Sequence, residues 1–152
     1  LELQDNFLTS IDVSRLTGMQ HLDIHNNDLT SIDVSRLTEL QYLELHGNQL
    51  NTSVSLHFSN LTKLECLNLR NNQLKGTLSM NRLTQLKWLD LRNNTFSGEF
   101  IIDQLTDLEY LGIGGSGFQH NQSIQTMLPQ LIFYGDHFRT RSDFEGRCCG
   151  LG

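Results

Sequence analysis

Long apolar runs are absent. No stretch of about 18 apolar residues occurs, so no membrane-inserting segment is expected here. Positive charge is scarce too. Eleven Lys and Arg stand against seventeen Asp and Glu, for a net charge of −6. Nucleic acid and anionic membrane are therefore not expected as main partners. Cysteine occurs only as Cys66, Cys148 and Cys149, too few for a disulfide framework. No N-terminal stretch has the form of a signal peptide, and the chain opens inside a repeat without a capping segment. We therefore expect a piece of a longer protein, or one whose ends are missing. The 152 residues suffice for one domain with a sizeable core.

What is present is a repeat. Leu64 to Leu74 reads LECLNLRNNQL. It is too short for an amphipathic helix, and Leu67-Asn68-Leu69 alternates with the period of two that marks a strand. One such strand cannot bury its leucines alone. Copies lie at Met19 to Leu29, Leu40 to Leu50, Leu86 to Phe96, Leu108 to Phe118 and Leu128 to Phe138, and Leu1 to Leu8 holds the later places of another. The ninth place is Asn6, Asn27, Asn48, Asn72, Asn94, Ser116 and Asp136, at intervals of 20 to 24 residues. A fixed period in this range predicts a solenoid of about seven rungs.

The LxxLxLxxNxL pattern over residues 1–138 resembles the leucine-rich repeat family. Two subclasses mix. Leu8 to Thr17 and Leu29 to Thr38 read LTSIDVSRLT, similar to the compact 21-residue repeats of bacterial and phosphatase-regulator members. Leu74-Lys-Gly76-Thr-Leu78 and Phe96-Ser-Gly98-Glu-Phe100 are similar to plant-receptor repeats, with Ser79 and Ile101 where those carry proline. The resemblance implies an α/β-type solenoid, a right-handed horseshoe. Short parallel strands line its concave face, and turns and 3₁₀ segments its convex face, with little regular helix. It also implies protein binding through the concave face.

The residues fill in this frame. The asparagine amide offers both donor and acceptor to backbone groups at the turn out of each strand. Ser116 keeps both functions on one atom, and ionised Asp136 has no donor. Asn71, beside the ladder, is expected to face solvent. In the connectors Val13, Leu16, Val34, Leu37, Leu56, Phe58, Leu61, Leu78, Met80, Leu83, Phe100, Ile102 and Leu105 are expected to face inward. Ile124 and Met127 anchor the polar connector of rung six. Residues 139–152 are a polar tail or partial cap. Its Cys148–Cys149 pair reads as free thiols in a loose tail or as half of a C-terminal disulfide cap. A lipidated tail has no basic or apolar flank to support it.

Strand alternation puts three further columns on the concave face. The first is His21, Tyr42, Cys66, Trp88, Tyr110 and Gln130. The second is Glu2, Asp23, Glu44, Asn68, Asp90, Gly112 and Ile132. The third is Gln4, His25, His46, Arg70, Arg92, Gly114 and Tyr134. They form aromatic, acidic and basic stripes. Exposed rings beside arginine favour an interface, so Tyr42, Glu44, His46, Arg70, Trp88, Asp90, Arg92 and Tyr110 are the expected partner-binding residues. The partner is expected to be a protein or peptide.

Other readings compete. Charges on strands often only solvate the sheet, which would leave a structural spacer or surface-coat segment. Asp23, His25, Glu44 and His46 are a candidate zinc set, on an open face and without a second shell. Gly112-Ile-Gly-Gly-Ser-Gly117 has the composition of a phosphate loop. It lacks the following Lys-Ser/Thr and helix start, and Ile113 falls on an inward place. We expect no enzyme and no cofactor. Sequons at Asn51, Asn60, Asn93 and Asn121 point to secretion, while Cys66, expected as an exposed thiol, suits a reducing compartment. The plant-receptor-like segments tip the balance towards the extracellular side.

Overall fold

A computed structural model describes residues 1–51, 58–118, 124, 126, 128–134 and 137–139. Leu56, Met127, Asp136, Asn121, the remainder of the Asn51 sequon and the Cys148–Cys149 pair lie outside them. So does the tail beyond Arg139.

The expected strands form at the expected places. They are β1 (His21–Asp23), β2 (Tyr42–Glu44), β3 (Cys66–Asn68), β5 (Trp88–Asp90) and β7 (Tyr110–Gly112). Each pairs in parallel with the next, place for place: His21 with Tyr42, Tyr42 with Cys66, Cys66 with Trp88, Trp88 with Tyr110. A single parallel bridge, Glu2 to Asp23, continues the ladder into the first rung. A second, two-stranded parallel sheet joins β4 (Lys75–Ser79) to β6 (Thr95–Ile101), in the plant-receptor-like segments.

The core is one column of leucines. Leu22, Leu43, Leu67, Leu89 and Leu111 occupy the middle of successive strands and are fully buried. Ile24, Leu45, Leu69, Leu91 and Ile113 form the next column, equally buried. The connectors of rungs one to five turn inward by two successive i→i+3 bonds. In rung four they are Leu83 N–H to the Met80 carbonyl (2.9 Å) and Leu86 N–H to the Leu83 carbonyl (3.0 Å). The same pair recurs at Val13–Leu16–Met19, Val34–Leu37–Leu40, Phe58–Leu61–Leu64 and Ile102–Leu105–Leu108. Only Phe58–Asn60 forms a complete 3₁₀ turn among the described residues. The inward connector residues are buried with two exceptions. Phe100 is half-buried, and Leu16 is 41% exposed.

The asparagine ladder closes each turn. Asn72 Nδ2 donates to the Leu69 carbonyl of its own rung (3.1 Å) and the Leu45 carbonyl of the rung before (3.0 Å). Its Oδ1 accepts the Leu50 N–H at 3.0 Å. Asn27, Asn48 and Asn94 repeat this three-way bond. Ser116 is too short to reach. Its backbone carbonyl takes the Phe96 N–H instead, at 2.9 Å. Gly117, at φ +93°, permits that approach, since a β-carbon there would run into the Phe96 carbonyl.

A neighbouring column was not anticipated. The residue before each ladder place adopts positive φ: Asp5 (56°), Asn26 (52°), Gly47 (67°), Asn71 (54°), Asn93 (55°) and Gly115 (63°). Asp, Asn and Gly are the residues that tolerate this region.

The seventh copy departs from the expected stacking. β8 (Ile132–Tyr134) pairs antiparallel with β9 (His137–Arg139), and β9 in turn pairs antiparallel with β7. The sheet order ends β7-β9-β8, so rung seven is not a parallel rung laid on rung six. The physical reason is local. Two short strands separated by Gly135-Asp136 carry a two-residue hairpin sequence, and a hairpin closes antiparallel.

Candidate functional site

The sheet face turned away from the core carries the three expected columns. They are not the open stripes foreseen. The acidic column is the most enclosed: Asp90 is 3% exposed and Glu44 6%. Asp23, Glu44 and Asp90 each hold the basic residue two places on, because alternate residues of a strand share a face. Arg92 Nε donates to Asp90 Oδ1 (3.0 Å) and Nη2 to Oδ2 (2.7 Å), a two-pronged grip. His25 Nδ1 lies 2.6 Å from Asp23 Oδ1, and His46 Nδ1 lies 3.0 Å from Glu44 Oε2. The acidic and basic stripes therefore pair within rungs.

Stacking links the rungs sideways. The His25 and His46 rings lie 4.3 Å apart, 11° from parallel. Trp88 and Tyr110 stack at 3.8 Å and 10°, and the Arg92 guanidinium carbon sits 5.9 Å from the Tyr110 ring centre. Their separations follow from the spacing of parallel strands, about 4.8 Å. Tyr42 and Trp88 are half-buried, and Tyr110 is only 8% exposed. The expectation of exposed rings at Tyr42, Trp88 and Tyr110 is corrected accordingly: Trp88 and Tyr110 stack on each other across neighbouring strands. His46 and Arg92 are half-buried, and Arg70 is exposed.

Two further expectations change. Cys66 is buried and disulfide-bonded, not an exposed thiol, so it no longer argues for a reducing compartment. The zinc set does not assemble. Among the described residues no group of three or more His, Cys, Asp or Glu can hold a metal ion. The Nδ1 atoms of His25 and His46 are turned to their own carboxylates, and the rings lie face to face. No helix among the described residues is long and apolar enough to cross a membrane.

On the rim, Asn93 is exposed at the edge of the turn, with Nδ2 donating to Asn71 Oδ1 at 2.7 Å. Lys87 bonds Glu65 across rungs at 2.8 Å, which holds the lysine above its ordinary range. Lys63 and Glu39 repeat the pair one rung earlier at 2.6 Å.

A parallel solenoid with leucines inside its rungs, an asparagine ladder through four successive turns and a polar outer sheet face defines a repeat protein. Its rungs are leucine-rich repeats: the Leucine Rich Repeat family model matches residues 39–61, 63–84 and 85–108. Solved structures agree. A leucine-rich repeat protein of Leptospira interrogans is 28% identical with a TM-score of 0.77, over 85% of this chain and 35% of that one. The ectodomain of the plant membrane receptor kinase GASSHO1/SCHENGEN3 from Arabidopsis thaliana was solved with CASPARIAN STRIP INTEGRITY FACTOR 2. It is 33% identical with a TM-score of 0.59, over 64% of this chain and 12% of that one. The plant peptide hormone receptor RGFR1, solved in complex with RGF2, is 29% identical with a TM-score of 0.54, over 59% and 16%. The chain thus spans only a fraction of each of these proteins. No curated protein matches it.

Proposed function

We propose that the chain is a non-catalytic recognition module that binds a protein or extended peptide on the outer face of its parallel sheet. The carrying observation is the order on that face. Acids grip the basic residues of their own rungs, and rings stack from rung to rung, so the face is held in shape before any partner arrives. Preorganised side chains lose little freedom on binding. Two similar proteins were solved in complex with a partner, which supports a peptide or protein ligand here. The contact residues would be Tyr42, Glu44, His46, Arg70, Trp88, Asp90, Arg92 and Tyr110. We take 1–138 as the repeat domain, curved as a right-handed horseshoe with this face concave.

A spacer role is the competing reading, and the burial of Tyr110 and Asp90 favours it, since those side chains already have packing roles. Capture from an extracellular extract separates the two. A partner retained by the parent chain and lost with Tyr42→Ala plus Trp88→Ala supports recognition. Equal capture by both chains, or none by either, supports the spacer.

A further inference from the structure

Four successive rungs place two side chains at the same pair of positions on the outer face: Asp23 and His25, Glu44 and His46, Asn68 and Arg70, Asp90 and Arg92. In three of them a carboxylate holds its neighbour. Rung four breaks the rule. Asn68 is neutral, and both ends of its amide are engaged. Its Oδ1 accepts the Arg70 backbone N–H at 3.2 Å, and its Nδ2 sits 3.1 Å from His46 Nδ1. Arg70 is exposed and takes part in none of the ion pairs among the described residues.

We propose that Arg70 receives a carboxylate from the partner, and that Asn68 keeps it available by withholding the internal acid that the other rungs supply. This rests on the reading of the outer face as the binding surface. Charge selects the ligand. Arg92 is gripped by Asp90, and His46 lies against Glu44, so rung four adds one uncompensated cation to a face whose other basic groups sit beside acids. A single guanidinium fork suits a monoanionic, planar group, which a carboxylate is. A phosphate or nucleic-acid backbone needs several such cations together.

The test uses the full chain, ¹⁵N-labelled, with the Arg70 Nε–H resonance as reporter. Three tetrapeptides are titrated in. One is capped at both ends with a central Glu, one is its Gln counterpart, and one is an all-Ala peptide with a free C-terminal carboxylate. The resonance should shift on titration with the Glu peptide, with the free-carboxylate peptide, or with both, and this identifies the source. The Gln peptide should bind weaker by on the order of threefold. Asn68→Asp should abolish the response, because it gives Arg70 the same internal partner that Asp90 gives Arg92. Asp already occupies this place in rungs two and five, so the variant should fold. Should it not, the comparison of both carboxylate peptides with the Gln peptide on the parent chain decides alone. Arg82→Gln, on the exposed connecting side, should change nothing.

The proposal is overturned if the resonance ignores both carboxylates, moves as far with the Gln peptide as with the carboxylate peptide that shifts it, or still responds in a folded Asn68→Asp chain. A protein partner captured by the parent and by Asn68→Asp alike would remove Arg70's role while leaving recognition by the face intact.

Discussion

Asn93 reaches back one rung to Asn71, its Nδ2 donating to Asn71 Oδ1 at 2.7 Å, and both residues hold positive φ. Asn71 is exposed, so its side chain alone suggests that alanine would be harmless there. The backbone indicates otherwise. A β-carbon in the left-handed region costs about 1–2 kcal/mol, which asparagine mitigates and glycine avoids. Asn71→Ala should therefore destabilise by about 1 kcal/mol and Asn71→Gly by only a few tenths. Asn72→Ala, one residue on, should cost about 1–3 kcal/mol by stranding the buried Leu50 N–H, while the Leu45 and Leu69 carbonyls keep the amides of Asn48 and Asn94. Urea midpoints rank the three. If Asn71→Gly lost as much as Asn71→Ala, the cost would belong to the side-chain bond and not to φ.

Leu67 tests the core directly. It is fully buried in the middle strand of the parallel series, paired with Leu43 on one side and Leu89 on the other. Leu67→Ala should cost about 2–5 kcal/mol, because the rungs on either side cannot collapse into the cavity. An unaltered urea midpoint is incompatible with this register.

Much of this fold was legible because each rung repeats the same local constraint. Leu67 and its equivalents follow from alternation, and Asn27, Asn48, Asn72 and Asn94 from a donor–acceptor side chain recurring at one place. The positive-φ column was legible too, in Asp5, Asn26, Gly47, Asn71, Asn93 and Gly115, but its signal lies one residue from a stronger one. The hairpin of β8 and β9 hid behind leucines that continue the repeat, although Gly135-Asp136 announces a turn. Burial on the outer face was not legible. The pairing of Asp90 with Arg92 follows from their spacing, but how far Asp90 and Tyr110 are covered depends on neighbours distant in sequence. Cys66 is the extreme case, since nothing in its own rung indicates a disulfide.

Gly117 and Gly76 separate two costs. Both hold positive φ, at 93° and 82°. A β-carbon at Gly76 meets nothing, while one at Gly117 meets the carbonyl of Phe96, the residue whose N–H bonds the Ser116 carbonyl. Gly76→Ala should cost about 1 kcal/mol from strain alone. Gly117→Ala should cost more, about 2–4 kcal/mol, because the backbone bond from Phe96 must also yield. Thermal midpoints of the two variants give the difference. Equal losses would mean that rung six has room to shift and that the Ser116 substitution is loosely held.

Trp88 joins structure to the proposed function. Its ring stacks on Tyr110, and the Arg92 guanidinium carbon lies 5.9 Å from the centre of that tyrosine ring. Truncation therefore acts twice. The lost stack should cost about 0.5–1.5 kcal/mol of stability, and a double-mutant cycle with Tyr110→Ala should return that amount as coupling. If the face binds a partner, Trp88→Ala should also weaken binding at least tenfold, since central aromatic residues next to arginine commonly carry about 2 kcal/mol or more. Arg82→Ala, on the exposed connecting side, should leave both unchanged. Iodide quenching of the single tryptophan checks the premise. A half-buried indole should be quenched in part, and the bound partner should protect it. Unquenchable emission from the free chain would place the ring in the interior, make the stack purely structural, and move recognition to the Arg70 side of the face.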